Sequence, residues 1–175
     1  MLRDFFLAKG IAVARLDWSF YVDDAVSGVP SEELRVETAE LQGLISLLRV
    51  DRRIDASRIF LLGKSLGSVI AWRVFCEDAA VAGVVLVTPL CQENTGHYPA
   101  LTSEERPVLL IAGSEDPNTD LAAMHVTGQR LSQHLQLYIV IGNHALATTL
   151  TDNEDTFSRK IAGVGSVIYS WLVGI

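Results

Sequence analysis

A chain of 175 residues, 49% hydrophobic and 20% charged, suits one domain with a sizeable core over residues 1–175 and is too short for two comfortable ones. Its net charge of −7 comes from acidic residues spread along the chain, with no block of Lys or Arg to track a phosphate backbone, so nucleic acid is not an expected partner. Cys76 and Cys91 fit neither a zinc site nor a disulfide framework, which favours reduced thiols and a cytoplasmic location.

The chain opens with Arg3, Asp4, Lys9, Arg15 and Asp17 interrupting any apolar run, so neither a signal peptide nor a membrane span is expected there. Residues 11–16 form the first short apolar run and are expected as a strand. The connection that follows, residues 18–30, contains Trp18, Phe20 and Tyr21. Pro30, Ser31, Glu32 and Glu33 then open a helix with Leu34, Leu41, Leu44, Ile45 and Leu48 at helical spacing; Ser31 is the expected N-cap and the two glutamates suit a helix N-terminus. Strands are expected at 59–62, 81–87, 108–112 and 137–141, and further helices at 66–75, about 119–132 and about 155–172. The strand segments are rich in Val, Ile and Leu without polar alternation, as parallel strands covered on both faces require. The closing apolar run, 161–175, falls short of the roughly 20 residues of a membrane span and reads as a buried helix. Alternation of this kind predicts an α/β fold, a mostly parallel sheet flanked by helices on both faces.

Between the expected strand at 59–62 and the helix at 66–75 lies Gly63-Lys64-Ser65-Leu66-Gly67, a G-x-S-x-G motif. The bare motif would arise by chance in roughly one such chain in twenty, so its placement carries the weight. A tight strand-to-helix turn projects the Ser65 hydroxyl outward and brings the helix amides to the same spot, which makes Ser65 a candidate nucleophile and the Leu66 N–H a candidate oxyanion donor. Lys64 is placed to tune the mouth of such a site electrostatically. Gly63-Lys64-Ser65 also matches the end of a phosphate-binding loop, but the glycine that such a loop needs at position 58 is Arg58.

A serine nucleophile needs a base and an acid from later strand ends. Gly113-Ser114-Glu115-Asp116-Pro117 follows the strand at 108–112 and offers Asp116 as the acid, with Glu115 and Asp120 as competitors. Gly142-Asn143-His144 follows the last strand and offers His144 as the base. His125 and His134 fall in or at the end of a helix, and His97, in a polar connection, is a second candidate near the site entrance. The order Ser65, Asp116, His144 is that of G-x-S-x-G hydrolases.

Together with the stretch Arg52-Arg53-Ile54-Asp55-Ala56-Ser57-Arg58-Ile59 leading into the motif, these segments resemble the α/β-hydrolase superfamily, especially its small dienelactone-hydrolase-like and esterase-like members. The resemblance implies an α/β-hydrolase fold, a serine nucleophile acting on an ester or related acyl bond, a small-molecule acyl substrate, and no metal or organic cofactor. Dienelactone hydrolases proper use cysteine where this chain has Ser65. The family's early strand and the glycine-rich loop that supplies a second oxyanion donor have no counterpart: residues 2–10 resemble the family's first helix and 11–17 the strand after it, so by that alignment roughly 25 to 35 N-terminal residues are missing. The fold is therefore expected in an N-terminally abbreviated form, in which strand 11–16 pairs with strand 59–62 or an edge is left free for a second copy in a homodimer.

Trp18, Tyr21 and Tyr98 are the expected substrate-lining aromatics. The connections carrying them are too short for a large lid, which favours a small substrate. The alternatives are a catalytically weak or inactive relic of the fold that serves as a binding or scaffold protein, and a related enzyme acting on thioesters or amides.

Overall fold

The computed structural model describes residues 2–22, 28–91, 96–98, 104–122, 134–148 and 153–175. Its helices are α1 (Leu2–Leu7), α2 (Ser19–Val22), α3 (Arg35–Val50), α4 (Leu66–Glu77) and α5 (Glu154–Val173), and its strands β1 (Phe60–Lys64), β2 (Gly83–Val87), β3 (Val108–Gly113) and β4 (Leu135–Val140). The four strands form one wholly parallel sheet in the order β1-β2-β3-β4.

Every residue of β2 and β3 is buried, as a central parallel strand requires. Side-chain alternation sends Val84, Leu86, Val108, Leu110 and Ala112 to one face, where they meet Ile45 of α3 and Ala71, Trp72, Val74 and Phe75 of α4. Val85, Val87, Leu109 and Ile111 face the other way and pack on Phe6 of α1 and Val164, Ile168 and Trp171 of α5. Burying side chains as large as Trp72 and Phe75 contributes about 1.5–3 kcal/mol each, so both layers are held by apolar burial.

One expected strand does not form. Residues 11–16 enter no ladder, and the free side of β1 has no partner strand among the described residues. The Ile11 N–H still bonds back to Phe6 of α1, and α1 itself docks on α5, so the segment is held at its start while the chain beyond it runs past the sheet without pairing. An apolar Val/Ile run suits a strand only where a neighbour offers hydrogen-bonding groups in register.

The start of α3 also differs from expectation. Glu33 and Leu34 adopt left-handed backbone (φ 54° and 57°), so the helix begins at Arg35 after a 3-10 turn. Ser31 still serves that end: its Oγ accepts the Val36 N–H and donates to the buried Glu37 carboxylate. At the other end of the chain, Asn153 caps α5 by accepting the Thr156 N–H at 2.9 Å. Of the helix expected at about 119–132, residues 123–132 lie outside the described residues, and Thr119 forms an isolated bridge with Cys91.

Candidate active site

Parallel strands deliver their following loops to one edge of a sheet, and here Ser65 follows β1, Asp116 follows β3 and His144 follows β4. Ser65 sits between strand and helix with φ 53° and ψ −122°, a strained conformation for a residue with a side chain. Gly63 makes that turn possible. A Cβ on Gly63 would lie 2.1 Å from the Gly67 carbonyl oxygen, so the first turn of α4 can press against β1 only if position 63 has no side chain. Gly67 faces open space, so the second glycine of the motif has no matching steric demand. The backbone N–H of Ser65 donates to the Val87 carbonyl at 3.0 Å, fixing the turn to β2.

The three expected side chains meet. His144 Nε2 lies 2.8 Å from Ser65 Oγ, and His144 Nδ1 lies 2.8 Å from Asp116 Oδ2. The Asp116 side chain is fully buried while that of His144 is 28% exposed, so the acid is withdrawn from water and the imidazole reaches the surface. Asp116 Oδ1 accepts the Asn118 N–H at 2.9 Å. Thr119 Oγ1 lies 3.2 Å from Asp116 Oδ2 and 2.9 Å from the Pro89 carbonyl, so its single proton is divided between two acceptors. The turn leading to Pro89 is itself strained, with Thr88 at φ 42° and its buried hydroxyl without a hydrogen-bond partner among the described residues.

The loops carrying the acid and the base touch. A Cβ on Gly113 would meet the carbonyl oxygens of Gly142 and Asn143 at 2.5 Å, and the Glu115 N–H donates to Gly142. Asn143 Oδ1 accepts the Ala145 N–H at 2.9 Å and holds the turn that presents His144. Lys64 reaches the same turn, with Nζ donating to the His144 carbonyl at 3.0 Å. Although Lys64 is exposed as a residue, its ammonium rests against this turn; desolvation lowers its pKa, opposed by the nearby Asp116 charge.

Of the competing acids, neither Glu115 nor Asp120 bonds the imidazole; Glu115 is exposed and Asp120 half-buried. His134 is exposed at the entrance to β4, His97 is exposed with its ring edge-on to Tyr98, and His125 lies outside the described residues. The Leu66 N–H belongs to the first turn of α4, whose amides have no intrahelical acceptor. The aromatics expected to line a pocket are dispersed. Trp18 is half-buried, Phe20 belongs to the buried core, and Tyr21 is 77% exposed and packed on Phe20. The Tyr98 hydroxyl is engaged by Ser68 and Leu90 behind the Ser65 turn. An open groove of about 420 Å³ lies between α5 and the beginning of β4, lined by Gln136, Ser170 and Trp171 among others, at the opposite end of β4 from His144. Among the described residues, no three His, Cys, Asp or Glu side chains are grouped to hold a metal ion.

Thr119, Ser68 and the Lys64 contact were not identified from sequence as parts of the site. The Lys64 partner is 80 residues away in sequence, whereas Thr119 and Ser68 each lie three residues after the residue they support, Asp116 and Ser65, and so left a local trace.

A parallel sheet with helices on both faces and a Ser-His-Asp chain along its C-terminal edge defines a class of α/β protein. A family model described as an alpha/beta hydrolase domain matches residues 1–172, and the chain belongs to that family. No protein of curated function shows significant sequence similarity to it. Similar solved structures include a protein of unknown function from Agrobacterium tumefaciens (16% identity, TM-score 0.71, 98% of this chain and 73% of that one). An alpha-beta serine hydrolase homologue from Coxiella burnetii gives 16% identity and a TM-score of 0.60 over 84% of this chain and 62% of that one. An esterase from Pyrococcus furiosus gives 18% and 0.56 over 78% and 62%. At these identities the likeness is one of fold. This chain spans 62% of the length of the Coxiella protein. Among the described residues, no helix is long and apolar enough to cross a membrane.

Proposed function

We propose that the chain is a serine hydrolase that cleaves a small carboxylic ester or related acyl bond through an acyl-enzyme intermediate. The observation that carries this reading is the pair of 2.8 Å contacts joining Ser65 Oγ, the two ring nitrogens of His144 and Asp116 Oδ2. With its proton on Nδ1, held by Asp116, the imidazole presents a lone pair at Nε2 to the Ser65 hydroxyl. Ser65 Oγ attacks the substrate carbonyl as His144 takes its proton, and the oxygen that becomes negative meets the Leu66 N–H. The proton at Nε2 then passes to the leaving group. A water, deprotonated by the same nitrogen, adds to the acyl carbon and releases the acid and the free serine.

Esterase chemistry in a neighbour of the same fold is consistent with this class. Reaction with a fluorophosphonate tests the proposal: the expected result is stoichiometric labelling, abolished by Ser65→Ala and strongly slowed by His144→Ala. Folded wild-type protein that resists labelling would overturn it and favour a binding protein built on the hydrolase fold.

A further inference from the structure

The hydrogen bonds behind Ser65 run in one direction. The Leu90 N–H donates to Tyr98 Oη at 3.0 Å, Tyr98 Oη lies 2.7 Å from Ser68 Oγ, and Ser68 Oγ donates to the Ser65 carbonyl at 2.5 Å. An amide only donates, a carbonyl only accepts, and each hydroxyl has one proton. The Tyr98 proton therefore points at Ser68, and the Ser68 proton at the Ser65 carbonyl.

This relay is shielded. Ser68 is wholly buried, and burial raises the Tyr98 phenol above its ordinary pKa, with the Ser68 hydrogen bond acting in the opposite sense, so Tyr98 remains a donor at working pH. The neighbouring Cys91 thiol, pushed up to about 12 by burial, stays neutral. The Ser65 carbonyl also accepts the Ser68 N–H at 2.9 Å, so Ser68 holds it through both its backbone and its side chain.

That carbonyl shares a peptide unit with the Leu66 N–H. In a trans peptide the two groups point in opposite directions, so whatever pins the carbonyl also aims the amide. Donors on the carbonyl polarise the unit and strengthen its N–H as a donor. We propose that Ser68 and Tyr98 are positioning residues whose hydroxyl relay holds the Ser65–Leu66 peptide so that the Leu66 N–H points at the developing oxyanion. The inference rests on the acyl-hydrolase reading and assigns Tyr98 a place behind the nucleophile.

The test measures the rate constant and the saturation constant for fluorophosphonate labelling in wild type, Ser68→Ala, Tyr98→Phe and the double variant, with thermal unfolding of each. Full loss of an oxyanion donor costs 10²–10³, so a donor left in place but poorly aimed is expected to slow the labelling step by about tenfold in Ser68→Ala. Tyr98→Phe, which removes only polarisation of the Ser68 hydroxyl, is expected to slow it by about threefold. The double variant should be no slower than Ser68→Ala, because both changes act through the same carbonyl. The saturation constant and the pH profile should not move, since neither His144 nor Asp116 is touched. Should Ser68→Ala fail to fold, Tyr98→Phe decides alone.

A wild-type labelling rate in folded Tyr98→Phe overturns the relay, as does a loss confined to the saturation constant or additive losses in the double variant. Absence of labelling in wild type removes the hydrolase reading instead, and the relay's role with it.

Discussion

Asp116 and His144 form a pair in which the carboxylate fixes both the tautomer and the direction of the ring. Asp116→Asn would offer Nδ1 an amide that can turn either of its ends toward the ring, and by comparison with triads of this geometry the labelling rate is expected to fall by about 10³–10⁴ with the fold intact, as read by circular dichroism. Lys64 acts on the backbone of the same turn. Lys64→Met removes the donor to the His144 carbonyl, and because that contact is partly solvated the expected loss is modest, about threefold in labelling rate, largely recovered by Lys64→Arg. The three side chains that meet at the sheet edge were legible in the sequence because each follows an apolar, strand-length run. Their supports were less so, because Thr119 and Tyr98 act on partners that only the folded chain brings near, the Pro89 carbonyl and the Ser68 hydroxyl.

At the scale of elements, the two glycines of the motif make opposite forecasts. Gly63→Ala would drive a methyl group into the Gly67 carbonyl, and the expected destabilisation is about 3 kcal/mol or more, measured by denaturant unfolding. Gly67→Ala meets open space in a helical first turn and should be neutral or stabilise by up to about 1 kcal/mol. The entrance to α3 answers to pH. Glu37 is only 1% exposed; burial alone would raise its carboxyl pKa, but hydrogen bonds from Ser31 Oγ (2.6 Å) and Ser31 N–H (2.8 Å) outweigh burial and lower it.

A carboxyl lowered on folding stabilises the protein above its unfolded pKa, near 4.5, and loses that contribution as pH falls through the folded value. Glu37→Gln should therefore cost about 1.5–3 kcal/mol at neutral pH, with the gap from wild type closing under acid. The helix itself was legible from the spacing of its leucines. Its true beginning was not, since consecutive left-handed residues at Glu33 and Leu34 have no signature in side-chain type.

Across the whole molecule, the central strands and the helical layers on both faces followed from uninterrupted Val, Ile and Leu runs. The unpaired course of residues 11–16 did not, because pairing is decided by neighbours and not by propensity. The outcome is a sheet with β1 and β4 at its two margins. Leu62 on β1 is 46% exposed, and Tyr138 and Ile139 on β4 are also open to solvent. Such margins are templates for association. If two copies pair through β1, sedimentation will show mass rising with concentration and Leu62→Lys will suppress it; a monomer at every concentration removes that expectation.

The Ile59 carbonyl and the Ser65 amide both bond toward β2, and with the two-residue repeat of a strand this leaves the amides of Phe60, Leu62 and Lys64 pointing outward. Deuterium uptake should therefore alternate along five consecutive residues, slow at Leu61 and Gly63 and fast at their neighbours. The segment leading to Ser65 thus carries a built-in gauge: whatever comes to lie along it, a sister molecule or an extended peptide, will slow exchange at Leu62 and Lys64 first, one step from that serine.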